Sequence, residues 1–497
     1  MGSIDDQWRM LIDGVLVDAP KRREVINPAT GIVFASAPEA TIEHAESALA
    51  AARRAQPEWG RRAPIERAAV MRRVATLIRR DSDELARLVV SEQGKPISEA
   101  RGEIGGAAEF FDYFAEFARR IEGEILPSDV RDEQVWIQRV PVGVVVGIIP
   151  WNYPAALVSR KVAPAMIAGN AIVLKPHELT PLSALFMARL FVEAGVPSGI
   201  VNIVTGAGET IGAHLVKAPG VDLVTMTGSV PTGRAIMRAA TDHLTPVSLE
   251  LGGKAPFIVM PDADLGLAVQ SAITSRFMNC GQVCICNERT FVHAEIYDEF
   301  LDRFTAGVKE LRIGDPQADT TDIGPKVSAE ELVKVEKMVA DAVSRGVNIV
   351  MGGARPKTPP TEKGFWYSPT IITGVTPDMP IMQDEIFGPV VPIVRFNRFE
   401  EAVSYSNDSR YGLSAYLFTR DMQRIMRAVR DIDFGELYVN RIGPESLQGF
   451  HVGYRQSGLG GDDGSHGLEM YLKKKTVYMN YGNSPATTLM PYQPANG

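Results

Sequence analysis

The feature that most constrains the fold is a regular alternation of short apolar segments with helical segments, which begins near residue 142. In the first half of this region the apolar segments occur at residues 142–149, 171–175, 200–204, 222–225 and 246–250. Strands that alternate with helices in this way form a parallel sheet with helices on both faces. The pattern therefore predicts a doubly wound α/β fold.

The second half of the region repeats the alternation, which indicates a second α/β unit. Its predicted strands lie at residues 256–259, 290–292, 348–351, 391–395 and 415–419. A chain of 497 residues is also too long for one hydrophobic core, so two or more packed units are expected. Such a chain can build an enzyme site across a domain interface.

Shorter patterns predict the elements outside this alternation. Apolar residues spaced three and four apart predict helices at residues 42–54, 65–80 and 84–92, the last opened by a D-x-x-E capping box that starts at Asp81. Two isolated strands are predicted at residues 133–140 and 474–481. These strands could pair with each other or across subunits.

Charge and hydropathy exclude several classes of partner. The formal net charge of -8 leaves no basic surface on average, so we expect no nucleic-acid partner. The longest apolar run, residues 142–149, is far shorter than the roughly 20 residues of a membrane helix, and the acidic start of the chain lacks the basic n-region of a signal peptide. We therefore expect a cytoplasmic protein without a membrane span.

The three cysteines, Cys280, Cys284 and Cys286, all lie within seven residues. This is not the spacing of a secreted disulfide framework and favours a reducing compartment. A structural zinc site or inert buried thiols would explain the cluster, but C-x3-C-x-C lacks the usual paired spacing and no histidine is nearer than His293. A nucleophilic cysteine is the third explanation, and we predict no metal site.

A polar segment follows the first predicted sheet strand. It contains Trp151 and Asn152 between two prolines. Ligands of open α/β sheets bind beyond the carboxyl ends of the strands, so the Asn152 amide is placed to donate to a substrate oxyanion. A rigid turn without catalytic function explains the segment equally well.

The second predicted strand ends at Lys175, with Glu178 three residues later. A carboxylate just behind a strand end can accept hydrogen bonds from ribose hydroxyls and would repel the additional phosphate of NADP. This favours NAD as the cofactor. An ordinary solvated Lys/Glu pair is the alternative.

Two further segments follow strand ends. Ser229 precedes a helix that is predicted to begin at Pro231, and free N–H groups at a helix start bind phosphate oxygens. Glu250 ends another strand and is followed by Gly252 and Gly253, which permit close backbone approach. The glycines of residues 206–212 do not fit the dinucleotide fingerprint and are interpreted as a helix-entry turn.

Taken in order, these motifs resemble the NAD(P)-dependent aldehyde dehydrogenase superfamily over nearly the whole chain. Cys284 follows Glu250 by 34 residues, which matches the family spacing of nucleophile and general base. The segment that contains Glu385 and Phe387 is similar to the family's later cofactor motif. The resemblance implies oxidation of an aldehyde to a carboxylate through a covalent thioester.

The resemblance also implies residue roles. Cys284 would be the nucleophile, Glu250 the base that activates the hydrolytic water, and Asn152 with the backbone N–H of Cys284 the oxyanion hole. The implied cofactor contacts are Lys175, Glu178 and Glu385 to ribose, Ser229 and Trp151 to the pyrophosphate region, and Phe387 to the nicotinamide ribose. Cys280 and Cys286 match no family role.

The implied fold is that of the aldehyde dehydrogenases. A Rossmann-type NAD-binding domain would comprise residues 1–123 and 145–251, and a catalytic α/β domain residues 252–465. Residues 124–144 and 466–497 would form a small β bridging domain, which implies a homo-oligomer, either a dimer or a tetramer.

Within the superfamily the chain resembles the bacterial lactaldehyde and glycolaldehyde dehydrogenases. Arg160, Glu445 and His451 match positions that face a small hydroxyaldehyde in those enzymes. Those enzymes carry bulky aromatic residues at the positions where this chain has Ala155 and Ala156. The two alanines would therefore enlarge the pocket. A sugar-derived aldehyde or an acidic semialdehyde is therefore the alternative substrate, with Arg160 able to bind a carboxylate.

Two other functions compete with hydrolytic oxidation. A coenzyme A-acylating dehydrogenase would use the same thioester but would not need the base Glu250. A non-catalytic scaffold of the same fold would not need Cys284 or Asn152. The presence of all three residues favours the hydrolytic enzyme.

Overall fold

The computed structural model describes residues 8–357 and 363–482. Residues 1–7 of the predicted NAD-binding domain and residues 483–497 of the predicted bridging domain lie outside the described residues. The helices are α1 (Ile42–Arg61), α2 (Pro64–Arg80), α3 (Ser82–Gln93), α4 (Ile97–Ala115), α5 (Ala156–Ala168), α6 (Leu182–Glu193), α7 (Ala213–Lys217), α8 (Val230–Ala240), α9 (Leu265–Phe277), α10 (Tyr297–Lys309), α11 (Ala329–Ser344), α12 (Pro380–Gln383), α13 (Phe399–Asn407), α14 (Met422–Asp431) and α15 (Gly464–Glu469). The strands are β1 (Met10–Ile12), β2 (Val15–Val17), β3 (Lys21–Asn27), β4 (Ile32–Glu39), β5 (Glu124–Leu126), β6 (Glu133–Pro141), β7 (Val144–Ile148), β8 (Ala171–Lys175), β9 (Val201–Ile203), β10 (Leu223–Thr227), β11 (Val247–Glu250), β12 (Ala255–Val259), β13 (Asn287–His293), β14 (Asn348–Met351), β15 (Thr370–Thr373), β16 (Val390–Phe396), β17 (Ser414–Phe418), β18 (Glu436–Val439), β19 (Gly458–Leu459) and β20 (Leu472–Asn480).

The first sheet has eight strands in the order β19-β11-β10-β7-β8-β9-β1-β2. The five neighbouring strands β11, β10, β7, β8 and β9 are parallel. They are the five strands predicted from the sequence for this half of the region. Every residue of β8 is buried, as expected of a strand covered by helices on both faces. The predicted doubly wound α/β fold is therefore confirmed.

The second sheet has seven strands in the order β14-β15-β16-β13-β12-β17-β18. All neighbours are parallel except β14 and β15, which pair antiparallel at one edge. All five strands predicted in this region are present, and they are joined by β15 and β18. The second α/β unit is thus also present.

A third, smaller sheet consists of β20, β6 and β5. β6 contains the first of the two predicted isolated strands, and β20 covers all but the last residue of the second. The two strands pair antiparallel along nine residues, from Leu472 opposite Pro141 to Asn480 opposite Glu133. These strands therefore pair with each other within one chain. The predicted domain boundaries stay a prediction.

The N-terminal region differs from its prediction, which contained only helices. Residues 10–39 form four strands: β1 and β2 extend the edge of the first sheet, and β3 and β4 form a separate hairpin. The predicted capping box at α3 is also wrong, because Asp81 makes no side-chain hydrogen bond to the helix and instead binds Arg80. An adjacent guanidinium competes successfully for this carboxylate.

Candidate active site

Cys284 lies in the loop that leads into β13, close to the carboxyl end of α9. It is partly exposed, whereas Cys280 and Cys286 are buried, and all three are free thiols. Burial raises the pKa of both Cys280 and Cys286 to about 12. Burial also raises the pKa of Cys284, but this thiol is partly exposed, so among the three cysteines it is the one that a substrate can reach.

The site residues of the first sheet lie at one edge. Asn152 follows β7, Ser229 follows β10, and Glu250 is the last residue of β11. β10 is hydrogen-bonded to both other strands, and Thr227 lies opposite Glu250. The carboxyl ends of parallel strands meet at the same edge, so this topology brings together residues that are about a hundred positions apart in sequence.

Asn152 is bonded to the loop that carries Cys284. Its side-chain Nδ2 donates to the main-chain carbonyl oxygen of Gln282 at 3.1 Å. The main-chain carbonyl oxygen of Asn152 accepts from Nδ2 of Asn279 at 3.0 Å. An amide NH2 has two hydrogens, so the second N–H can donate to an oxyanion formed at Cys284. This geometry suits an oxyanion hole.

The close approach of the two sheets depends on the glycines after Glu250. A Cβ at Gly253 would collide with the carbonyl oxygen of Cys284, and a Cβ at Gly252 would collide with the Glu385 carboxylate. The backbone N–H of Gly253 also donates to Glu385 at 2.8 Å. The Gly-Gly pair thus lets the segment after Glu250 contact both the Cys284 loop and the Glu385 segment.

Glu250 is buried, and neither of its carboxylate oxygens has a hydrogen-bond partner. Nε2 of His451 is the nearest cationic nitrogen, at 3.6 Å from Oε2. Burial raises the pKa of Glu250 well above its usual range, although His451 opposes the rise. A buried carboxyl group with free lone pairs and a raised pKa is suited to general-base catalysis.

His451 lies between Glu250 and two further carboxylates. Its Nδ1 is 3.0 Å from Glu436 and 3.7 Å from Glu445. Burial alone lowers the pKa of His451, but the two neighbouring glutamates reverse this effect and raise the pKa well above its ordinary value. The neighbouring carboxylates therefore favour the protonated form of His451.

Arg160, on α5, already has carboxylate partners. Its guanidinium donates to Glu445 at 2.6 Å and, through Nε, to Asp463 at 3.0 Å. The adjacent Lys161 binds Asp462 at 2.6 Å. Two cations and His451 thus face five carboxylates here. The cations are Arg160 and Lys161, and the carboxylates are Glu250, Glu436, Glu445, Asp462 and Asp463.

The structure has a cavity of about 650 Å³ between α8, α11 and the segment around Glu385. Ser229 caps α8, because its Oγ accepts from the backbone N–H of Thr232. Burial and the nearby Glu288 raise the pKa of Glu385 to about 7. A positively polarised helix start and a carboxylate in one cavity fit the phosphate and ribose groups of a dinucleotide. Other cavity-lining residues are Arg234, Lys334, Met338, Arg410 and Gln456.

Lys175 and Glu178 lie at the end of β8, two strands along the sheet from Ser229. Nζ of Lys175 is 3.4 Å from the Glu178 carboxylate and also donates to the carbonyl oxygen of Pro176. Lys175 is buried and Glu178 half-buried. The pair is therefore not the fully solvated pair of the alternative interpretation.

Trp151 and Phe387 are brought together from the two sheets. Their rings meet edge to face with centroids 5.3 Å apart. Phe387 has a left-handed backbone (φ 53°), and its carbonyl oxygen accepts a hydrogen bond from the buried Lys326. Lys326 was not predicted, because a single lysine in a loop carries no sequence signal of this contact.

Around Asn152 lies a second set of buried residues that was not predicted from the sequence. Nζ of Lys95 donates to the Asn152 carbonyl oxygen at 2.8 Å and to Glu103 at 2.6 Å, and it lies 3.5 Å from the ring centroid of Tyr153. Glu103 in turn accepts from the backbone N–H of Ala155. Lys95 and Glu103 are wholly buried, so this ion pair holds the strand-to-helix turn that presents Asn152.

Among the described residues, one group has the geometry to hold a metal ion. Ligand atoms of Glu436, Glu445 and His451 lie within 4.8 Å of one another. The sequence prediction assigned no metal site, and that stays a prediction. In the described parts of the chain, no helix combines the length and apolarity required to cross a membrane.

Comparison with known proteins agrees with this geometry. The profile of the aldehyde dehydrogenase family matches residues 16–477. The chain therefore belongs to the aldehyde dehydrogenase family, and the predicted fold and enzyme class are confirmed.

Individual relatives cover almost the whole chain. A 3,6-anhydro-α-L-galactose dehydrogenase of Streptomyces coelicolor is 49% identical over 92% of this chain and 93% of its own length. The lactaldehyde dehydrogenase of Escherichia coli is 44% identical over 96% of this chain and 99% of its own. A solved structure of 3,6-anhydro-L-galactose dehydrogenase in complex with NAP (NADP) has a TM-score of 0.94, with 46% identity over 96% of this chain and 100% of that chain.

Proposed function

We propose that this protein oxidises a neutral hydroxyaldehyde to a carboxylate, with Cys284 as nucleophile and NAD(P) as hydride acceptor. The observation that carries the proposal is the convergence of Cys284, Asn152 and Glu250. Asn152 is bonded to the Cys284 loop, and Gly253, three residues after Glu250, lies against the Cys284 carbonyl oxygen. NAD(P) use fits the family and the cavity at Ser229 and Glu385.

The chain's own residues account for the covalent steps. The Cys284 thiolate adds to the aldehyde carbon, and the new oxyanion accepts hydrogen bonds from Nδ2 of Asn152 and the backbone N–H of Cys284. The bound nicotinamide supplies the acceptor for the hydride. Glu250 then removes a proton from the water that hydrolyses the thioester at Cys284. A carboxylate with unpaired oxygens favours this hydrolysis over transfer to coenzyme A.

The charge pattern supports a neutral substrate. Arg160 is already bound to Glu445 and Asp463, so a substrate carboxylate would have to displace them and would meet further negative charge. Carboxylates, a guanidinium and an imidazolium offer both acceptors and donors to hydroxyl groups. The acidic semialdehyde alternative is therefore disfavoured.

The size of the substrate is the finer part of the proposal. Ala155 is buried and Ala156 half-buried at the start of α5, the element that carries Arg160. Small side chains here leave room for a sugar-derived aldehyde. The 49% identical relative is named for an anhydro sugar, which supports this choice, with lactaldehyde as the second candidate.

The test is a comparison of kcat/KM for 3,6-anhydro-L-galactose, lactaldehyde, glycolaldehyde and succinate semialdehyde with NAD and with NADP. We expect the anhydro sugar to be the best substrate and the semialdehyde the worst. Highest kcat/KM for lactaldehyde would select the second candidate, and preference for the semialdehyde would contradict a neutral substrate. Cys284→Ser is the control and should abolish turnover of every aldehyde.

Cofactor preference is tested in the same assay. We propose NAD, because the half-buried Glu178 would repel the 2′-phosphate of NADP. Glu178→Ser should then raise kcat/KM with NADP relative to NAD. An unchanged ratio would show that Glu178 does not select the cofactor.

A further inference from the structure

Lys326 is a wholly buried lysine that forms no ion pair with the described residues. In the described parts of the chain five lysines are buried, and the other four each bind a carboxylate: Lys95 binds Glu103, Lys161 binds Asp462, Lys175 binds Glu178 and Lys254 binds Glu288. Burial lowers the pKa of Lys326 to about 8. A buried ammonium group without a counter-ion is costly, so its position requires an explanation.

The partners of the Lys326 ammonium are a main-chain carbonyl and two aromatic rings. Its Nζ donates to the carbonyl oxygen of Phe387. The same nitrogen lies 5.9 Å from the ring centroid of Trp151 and 5.9 Å from that of Phe387. A cation within about 6 Å of a ring centroid is attracted by the negative face of the ring. The ammonium is therefore directed at the Trp151–Phe387 ring pair.

The backbone of Phe387 is held at both of its polar groups. Its N–H donates to the buried Glu288 carboxylate at 2.9 Å, and its carbonyl oxygen accepts from Lys326. Phe387 has φ 53°, a left-handed conformation that residues other than glycine seldom adopt. Two buried charged side chains thus fix an unfavourable backbone conformation, and this conformation determines where the Phe387 ring points.

We propose that Lys326 is a positioning residue for the cofactor and holds Phe387 in its left-handed conformation with the ring against Trp151. This inference rests on the proposed function, because it takes Phe387 to flank a bound nicotinamide ribose. Phe387 is half-buried, whereas Lys326 has no exposed surface. The ring can therefore contact the cofactor, while Lys326 acts through the ring and does not touch the cofactor itself.

The location of the two rings explains why their placement matters. Glu385, two residues before Phe387, lines the cavity of about 650 Å³ that fits a dinucleotide. Trp151 directly precedes Asn152, the proposed oxyanion donor. The edge-to-face contact of the two rings thus joins the cofactor segment to the turn that carries the catalytic amide. Loss of this contact should therefore impair cofactor binding before it impairs aldehyde binding.

The test measures binding of NADH and NADPH to the aldehyde-free enzyme at pH 7 by fluorescence titration. In Lys326→Met we expect the Kd of the preferred cofactor to rise by about tenfold, the loss expected of one charge-assisted hydrogen bond. Lys326→Arg keeps a cation and N–H donors and should recover most of the affinity. Lys326→Gln replaces Lys326→Met if the latter does not fold.

A double-mutant cycle tests whether Lys326 acts through Phe387. Phe387→Ala should weaken cofactor binding, and Lys326→Met added to it should have little further effect, because the ring that Lys326 positions is already gone. Additive effects would indicate direct contact between Lys326 and the cofactor and would overturn the positioning role. Lys337→Met makes the same change at an exposed lysine of α11 and should match wild type.

Steady-state kinetics separate positioning from a merely structural role. Lys326→Met should raise KM for the nicotinamide cofactor and leave KM for the aldehyde unchanged. A variant that loses only free energy of unfolding in urea, with both KM values and the Kd unchanged, would show that Lys326 is structural and overturn the inference.

The outcomes also distinguish this inference from the proposed function. If the Kd does not change in Lys326→Met but wild type oxidises an aldehyde, the inference fails and the proposed function stands. If cofactor binding depends on Lys326 but wild type oxidises no aldehyde, the inference survives and the proposed function fails. Wild type that binds neither NADH nor NADPH would overturn both.

Discussion

At the residue scale, the role proposed for Glu250 makes the hydrolytic step depend on the protonation of this carboxyl group. Burial raises the pKa of this carboxyl well above its usual range. Below that pKa the protonated group cannot accept a proton from water, so activity should fall as pH decreases, with its acidic limb above the ordinary glutamate value of about 4.3. The measurement is kcat between pH 5.5 and 10.

Replacement of this residue gives a second readout of the same step. Glu250→Gln should lower kcat by about 10²–10⁴-fold and leave a rapid first turnover, because thioester formation does not need the base. Stopped-flow detection of NADH would resolve this burst. A variant that loses the burst together with the steady state would place Glu250 before the thioester instead.

Asn152→Ala tests the oxyanion hole. Loss of one such donor in comparable sites costs about 2.7–4 kcal/mol, which corresponds to about 100- to 1000-fold in kcat. Steady-state kinetics with the best aldehyde would measure it. Asn397→Ala, at an exposed loop position, is the control and should keep wild-type rates; an equal loss in both variants would contradict the assignment.

At the element scale, the Lys95–Glu103 ion pair joins the segment between α3 and α4 to the turn that carries Asn152. Removing one partner of a buried pair leaves the other charge without compensation, which typically costs about 3–5 kcal/mol. Lys95→Met should therefore lower the free energy of unfolding by about that amount, as measured by urea denaturation.

The double variant Lys95→Met/Glu103→Gln should recover part of this loss. It removes the remaining charge and keeps an oxygen that can accept from the backbone N–H of Ala155. Arg303→Met, in an exposed ion pair with Glu299, should cost less than about 1 kcal/mol. A double variant less stable than Lys95→Met would show that the pair is not the source of the effect.

Elements were predictable where the local pattern was strong. β8 and β14 have the predicted bounds, because their ends are marked by a change from apolar to polar or glycine residues. β3 was missed because its residues are mostly charged and exposed, so the strand has no buried apolar face to produce a pattern. It is instead paired antiparallel with β4. A hairpin of this kind is stabilised by its partner strand and not by its own hydrophobic pattern.

At the scale of the whole molecule, the sheet of β5, β6 and β20 bears on assembly. Ile125 and Tyr478 on this sheet are 73% and 70% exposed. We propose that this sheet contributes to a homo-oligomer, so Ile125→Asp/Tyr478→Asp should shift the protein toward monomer in size-exclusion chromatography with light scattering. Val15→Asp, at an exposed position of β2, is the control. A monomeric wild type would refute the oligomer.

The sequence by itself determined the α/β class and most central strands, and its resemblance to the aldehyde dehydrogenases implied the roles proposed for Cys284, Glu250 and Asn152. The strands depend on local periodicity, and the motifs that carry the resemblance lie directly after strand ends, so both can be read from neighbouring residues. The glycines after Glu250 were also interpretable, because only glycine allows the approach of Glu385 and the Cys284 carbonyl.

Only the tertiary structure decided which charges surround those residues. Arg160 binds Asp463 across 303 positions and Glu445 across 285, and Lys95 reaches the Asn152 backbone across 57. Such contacts leave no local pattern, because they arise when elements distant in sequence pack at the same sheet edge. The carboxylates around His451 and the ion pairs of Arg160 follow from those contacts, so they could not be derived before the chain was folded.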